Sequence, residues 1–269
     1  MSKKISVLMG IYNCADTLPA AIDSIIAQTY TNWELILCDD GSTDKTIEVA
    51  QNYVDKYPKQ IKLLKNEENK GLNYTLNKCL KEAQGDYIAR MDGDDISLPK
   101  RFEKEVAVLE NNENISIVSA SMILFDEDGE WGLTKVKKFP KETDFIYKTP
   151  FCHAPCLVKK EAYLAVEGYS EDKKLLRVED YHLWIKMYVK GYIGMNIEEP
   201  LYKMRDDRNA QRRRKFKYRL NEAYVKAYAI KKLKLPWYKY IYCLKPIILG
   251  LIPEFVYKWL HRRRQSNNK

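Results

Sequence analysis

An α/β fold on a mostly parallel sheet flanked by helices is predicted by two features of the first hundred residues. Short apolar runs of strand length alternate with segments whose apolar residues recur at helical spacing, and the connections are short. The strand-like runs end in polar or acidic residues, and sheets of this kind bind ligands beyond the carboxyl ends of their strands.

Ile5–Ile11 is an apolar run suited to a strand buried on both faces. The next helix is capped by Asp16 or Thr17, carries Pro19 in its first turn, and sets Leu18, Ala21, Ile22, Ile25 and Ile26 on one face. Trp33–Cys38 is the second strand and runs into Asp39-Asp40-Gly41-Ser42. A helix from Thr43 or Asp44 to about Lys56, a strand at Ile61–Leu64, a helix at Leu72–Ala83 and a strand at Tyr87–Met91 complete the alternation. Beyond it the spacing predicts a helix near Leu98–Asn111 and a strand at Ile115–Ala120. A hairpin of Met122–Phe125 with Trp131–Phe139, a helix at Glu179–Val189 and a strand at Glu199–Arg205 follow.

The chain of 269 residues suits one large domain, or one domain with a short appendage. Its charge divides unevenly. Residues 1–205 hold 28 Lys and Arg against 33 Asp and Glu, a net of −5. Residues 206–269 hold 18 against 4, a net of +14. We therefore divide the chain into a catalytic domain over 1–205 and a basic, aromatic-rich helical tail over 206–269, whose charge calls for an anionic partner. The six cysteines show no CxxC pair, which fits reduced, packed thiols. Cys152, His153 and Cys156 lack the fourth ligand of a zinc site. No apolar leader precedes Ile5, so a cytoplasmic protein is expected.

Asp92-Gly93-Asp94-Asp95 follows the fourth strand. In extended chain Asp92 and Asp94 point the same way and can face one ion, and carboxylates suit Mn²⁺ or Mg²⁺. The same residues also suit a solvated acidic turn before the next helix. Asp39-Asp40 closes the second strand, where a carboxylate can accept the imide N–H of a uracil ring; Ser42, Thr43 and Asp44 also fit a turn and helix cap.

Six stretches carry a more specific signal: Ser6–Asn13 (SVLMGIYN), Ala21–Thr29 (AIDSIIAQT), Asp39–Asp44 (DDGSTD), Asn69–Asn77 (NKGLNYTLN), Gly85–Ile88 (GDYI) and Asp92–Asp95 (DGDD). In this order they resemble glycosyltransferase family 2, whose catalytic domain has the Rossmann-like GT-A fold. The resemblance implies that Asp40, with Asp39 beside it, contacts the nucleobase and that Gly10–Tyr12 meets the nucleotide. It makes Asp92 and Asp94 the DxD acids, with Asp94 the direct metal ligand, and Arg205 a phosphate-contacting residue. Glu179-Asp180 matches the family's ED pair, with Asp180 as general base of an inverting displacement. Both acids also suit the first turn of a helix, where the macrodipole favours them. His153 and Glu179 are acceptor-side candidates. Tyr181-His182-Leu183-Trp184 lacks the Arg of the processive QxxRW pattern, which favours addition of one residue over polymerisation.

The expectation is thus a UDP-sugar-dependent glycosyltransferase for surface polysaccharide, acting on a glycan or lipid-linked acceptor. In the tail, Asn209–Lys234 has helix-compatible spacing, and Trp237–Trp259 with His261–Arg264 suits an anionic membrane interface at the inner face of the cell membrane. Helices packed on the catalytic domain are the plainer alternative. No motif for nucleic acid is present. Two other classes share parts of the pattern. A nucleotidyltransferase needs a basic, glycine-rich loop after the first strand, where this chain has Asn13-Cys14-Ala15-Asp16. A non-catalytic membrane scaffold has no need of Asp92, Asp94 and Asp180 together.

Overall fold

The computed structural model describes residues 2–206 and 216–251. Strands β1 (Ile5–Ile11), β2 (Trp33–Asp39), β3 (Ile61–Lys65) and β4 (Tyr87–Asp92) lie parallel in the order β3-β2-β1-β4. Helices α1 (Leu18–Ile26), α2 (Thr46–Lys56) and α3 (Leu72–Glu82) connect them, as the alternation predicted. Apart from Ser6, β1 is apolar because both faces are covered. Ile5, Val7, Met9 and Ile11 join one core cluster, while Leu8 joins Ile36, Cys38 and Ile88 in the other. Register then sets the rim: Gly10 lies opposite both Cys38 and Asp92, and Ile11 opposite Asp39. The polar ends of three strands therefore finish side by side.

Past β4 the sheet becomes mixed. β8 (Leu157–Lys159) runs antiparallel between β4 and β6 (Ile115–Asp126). β9 (Ile193–Arg205) runs parallel to β6, and the two-residue β5 (Ile96–Ser97) pairs antiparallel with β9. The expected strands at Ile115–Ala120 and Met122–Phe125 are one continuous strand, and the hairpin forms between its end and β7 (Gly129–Leu133). Helices α4 (Arg101–Asn111), α5 (Lys160–Ala165) and α6 (Glu179–Val189) complete this half. Thr17 occupies the N-cap of α1 without capping it. Its hydroxyl instead donates to the Gly93 carbonyl at 2.9 Å, tying α1 to the acidic turn after β4.

α7 (Phe216–Lys232) buries Ala223, Val225, Lys226, Ala229 and Ile230. Val225 and Ala229 belong to the same cluster as Trp184 and Met187 of α6. The boundary at 205/206 is thus a change of composition, and α7 shares the core on its other side. A 3₁₀ turn (Trp237–Cys243) and α8 (Leu244–Leu251) follow, with Trp237 81% and Ile241 66% exposed. Among the described residues no helix is long and apolar enough to cross a membrane. The expected helix start at Asn209 and the basic cluster His261–Arg264 lie outside the described residues.

Candidate active site

Among the described residues, three cavities line the rim at the carboxyl ends of β1, β2 and β4. One of about 450 Å³ is walled by Gly10, Tyr12, Asp40, Lys70, Arg177 and Tyr218, among others. It shares Gly10 and Tyr12 with a second cavity of about 390 Å³, which adds Asp92, Asp94 and Arg205. Asp92 also borders a third, of about 370 Å³, with Arg90, His153 and Asp180. The order along the rim is therefore Asp40, then Tyr12, then Asp94 and Asp92, then Asp180.

The two acids that close β2 do different work. Strand parity turns them to opposite sides. Asp40 Oδ1 accepts from Asn66 Nδ2 at 2.9 Å and from the Lys70 backbone N–H at 2.8 Å, while Oδ2 accepts from Gly71 N–H at 2.9 Å. It thereby folds the loop after β3 against the first cavity and keeps acceptor capacity for a further donor. Asp39 is fully buried and does not line the cavity. Its Oδ2 accepts from the backbone N–H groups of Gly41 and Ser42, both at 3.1 Å. Asp39, expected beside Asp40 at the nucleobase, thus fastens the turn from behind, while its Oδ1 is buried with no partner among the described residues. That turn needs Gly41, whose φ is +78° and where a Cβ would approach the Glu68 carbonyl carbon to 2.9 Å.

After β4, carboxylate oxygens of Asp92, Asp94 and Asp95 lie within 4.8 Å of one another. Asp95, absent from the expected set, is 1% exposed. Its Oδ1 accepts from Arg205 N–H at 2.7 Å, and its Oδ2 is buried with no partner among the described residues. Burial, then the charges of Asp92 and Asp94, push Asp95 up to about 8. Desolvation and Asp92 also raise Asp94. Three crowded oxygen donors with an orphaned buried oxygen fit a hard divalent cation such as Mg²⁺ or Mn²⁺. Arg205 Nε donates to the Asp94 carbonyl at 3.3 Å, and its guanidinium lies 4.8 Å over Phe125, so it walls the second cavity.

In the third cavity, burial and then the neighbouring Glu179 push Asp180 up to about 7. His153 Nε2 is 2.8 Å from the Tyr169 hydroxyl, and its ring stands edge-on to Trp184. Burial, then the charge of Arg90, hold His153 well below the usual imidazole range, so the ring is neutral. Glu179 does not join them. It lines the first cavity, with Asp40 and Arg177, although it was expected among the acceptor-side candidates. Lys70, Arg177 and Tyr218 also face that cavity without having been singled out. Lys70 lay within the quoted NKGLNYTLN stretch, but Arg177 and Tyr218 reach the rim only through tertiary packing of α6 and α7.

The model of the family described as "Glycosyl transferase family 2" matches residues 6–165, more than half of the chain. The chain belongs to this family. EpsE of Bacillus subtilis, assigned to the glycosyltransferases, is 44% identical over 266 residues, covering 99% of this chain and 96% of EpsE. The amylovoran biosynthesis glycosyltransferase AmsE of Erwinia amylovora is 31% identical, covering 74% and 75%. WfgD of Escherichia coli, a UDP-Glc:α-D-GlcNAc-diphosphoundecaprenol β-1,3-glucosyltransferase, is 29% identical, covering 87% and 83%. Among solved structures, Staphylococcus aureus TarS with UDP superposes with a TM-score of 0.67 at 16% identity, covering 92% of this chain and 81% of that one. The mannosyltransferase PcManGT of Pyrobaculum calidifontis, with GDP-Man and Mn²⁺, gives 0.66 at 21%, covering 93% and 69%. The fold is that of the GT-A glycosyltransferases, and the chain is a family 2 glycosyltransferase with relatives in polysaccharide biosynthesis.

Proposed function

We propose that this family 2 enzyme transfers one sugar, with inversion, from a UDP-sugar to the hydroxyl of a lipid-linked oligosaccharide in surface-polysaccharide assembly. The observation that carries this reading is the succession of three contiguous cavities, lined in turn by Asp40, by the Asp92–Asp94 acids and by Asp180, which supports a nucleobase contact, a metal-type cluster and a proton acceptor in the order a sugar transfer needs. Asp40 would meet the uracil, with Tyr12 and Gly10 beside it. Asp94, with Asp92, would hold Mn²⁺ or Mg²⁺, which when bound offsets the charge growing on the diphosphate leaving group. Arg205 adds a cation at the same cavity.

Asp180 would take the proton from the acceptor hydroxyl. Its burial sets the carboxylate near neutrality, where a general base is effective. His153, neutral and anchored by Tyr169, would orient the acceptor rather than share the proton. UDP in the TarS structure and the UDP-Glc donor named for WfgD favour uridine, whereas the GDP-Man of PcManGT is the competing nucleotide. The exposed Trp237, Ile241 and Leu251, with the basic composition that follows, favour an anionic membrane surface at the cytoplasmic face. The test is transfer from radiolabelled UDP-sugars to synthetic diphospholipid-linked sugars. A product with the anomeric configuration opposite to the donor's is expected, and retention of configuration would rule out the single displacement.

A further inference from the structure

Arg90 is the one buried cation that faces both the acid cluster and Asp180 among the described residues, and nothing in the transfer chemistry above uses it. It stands two residues before Asp92 in β4, so both side chains leave the same face of the strand. Its side chain is 7% exposed and is ion-paired through Nη2 with Asp92, whose carboxylate is 30% exposed. Nε is buried and has no partner among the described residues. The backbone around it is fixed as well: Arg90 N–H donates to the Cys156 carbonyl at 3.2 Å, and its own carbonyl accepts from Arg101 Nη2 at 3.1 Å.

Burying a cation with incomplete hydrogen bonding is unfavourable, and an apolar side chain of similar volume is usually tolerated better. What sets this position apart is its surroundings. Asp92, Asp94 and Asp95 converge from the turn after β4, and Asp180 approaches from α6, all within the field of this one charge. A divalent ion entering the cluster meets the attraction of the carboxylates and the repulsion of Arg90 together. A nucleotide diphosphate brings additional negative oxygens that outweigh that repulsion.

We propose that Arg90 is the internal counter-ion of the Asp92–Asp94–Asp95 cluster: it weakens the site's hold on a free divalent cation, so that the metal is retained only together with the nucleotide diphosphate. This rests on the family 2 reading with a metal-bound diphosphate. Arg90 is a positioning residue in this account, since it holds Asp92 and touches no reacting atom.

Mn²⁺ binding, followed by the loss of the free-ion electron paramagnetic resonance signal, tests it with and without UDP. Wild type is expected to bind Mn²⁺ weakly alone and markedly more tightly with UDP. Arg90→Met, which removes the charge at similar volume, is expected to bind Mn²⁺ alone about tenfold more tightly, equivalent to ~1.4 kcal/mol, with a smaller further gain from UDP. Arg90→Lys keeps the charge and is expected to resemble wild type. Should Arg90→Met fail to fold by circular dichroism, Arg90→Gln removes the same charge and gives the same comparison. A merely structural role has the opposite sign, because loosening the cluster weakens bare Mn²⁺ binding. Bare Mn²⁺ affinity in the neutral variant equal to or below that of wild type overturns the inference. Wild type that fails to take up Mn²⁺ even with UDP overturns the metal reading along with it, so the two failures are distinguishable.

Discussion

Replacing Asp180 by Asn separates catalysis from stability by driving them in opposite directions. The partly buried carboxyl is moved from its ordinary 3.8 to about 7, first by desolvation and then by Glu179. Ionising it inside the fold therefore opposes folding. Stability on this account is full below about pH 4 and is lost as pH rises through about 7, a change of up to about 4 kcal/mol from the size of the shift. Asn has the same shape and carries no charge, so Asp180→Asn should melt at a higher temperature than wild type at pH 8 and at about the same temperature at pH 4. Activity goes the other way. Loss of a general base lowers kcat/KM about 10²- to 10⁴-fold, or ~3–5 kcal/mol of barrier. In wild type, kcat/KM should fall about tenfold per pH unit below about 7, because only the ionised carboxylate accepts the proton. That limb disappears in the variant. UDP affinity should stay within threefold, since Asp180 lines the third cavity and not the first. Transfer assays across pH 5–9 with parallel thermal melts read all of this. Activity within threefold of wild type, or a lower melting temperature at pH 8, refutes the assignment.

Other perturbations follow from the same geometry. Gly41→Ala meets both a left-handed backbone and a 2.9 Å approach to Glu68, so thermal melts should show a loss of about 1–3 kcal/mol, with weaker UDP binding because that contact braces the first cavity. An unchanged melt contradicts the turn geometry. Arg101 is fully buried, ion-paired with Glu105 at 3.2 Å, and donates to the carbonyls of Arg90, Ala154 and Cys156. Arg101→Met leaves that buried acid unpaired and should cost about 3–5 kcal/mol in denaturant titrations, and a loss under 1 kcal/mol argues against the pairing. Trp237→Asp with Ile241→Asp should abolish co-sedimentation with phosphatidylglycerol vesicles while leaving UDP affinity intact. Retained vesicle binding moves membrane contact away from this exposed face.

Much of the first half was legible because its strands are apolar runs of five to seven residues set between segments with helical spacing. β1, β2, β3 and β4 alternate with amphipathic helices, and the acids fall where parallel strands end. β5 and β8 have two and three residues, too few for any pattern, so the antiparallel half was not foreseen in detail. β6 is buried from Ile115 to Met122, and a strand covered on both faces has no polar alternation to mark its continuity. At the candidate site, the motifs singled out Asp40, Asp94 and Asp180, which line the three cavities, whereas the split between Asp39 and Asp40 follows from strand parity. Arg177 and Tyr218 needed the packing of α6 and α7. Asp95 was visible in the sequence as a third acid, but only the convergence of its carboxylate on those of Asp92 and Asp94 shows that it belongs to the cluster.

Calorimetry of UDP binding with and without Mn²⁺, using GDP as control and Asp94→Ala beside wild type, tests the central claim most directly. The account predicts UDP preferred over GDP, affinity raised by Mn²⁺, and no such rise in Asp94→Ala. GDP bound more tightly would overturn the uridine assignment and the role given to Asp40. No binding of either nucleotide, with or without metal, would contradict the donor site itself.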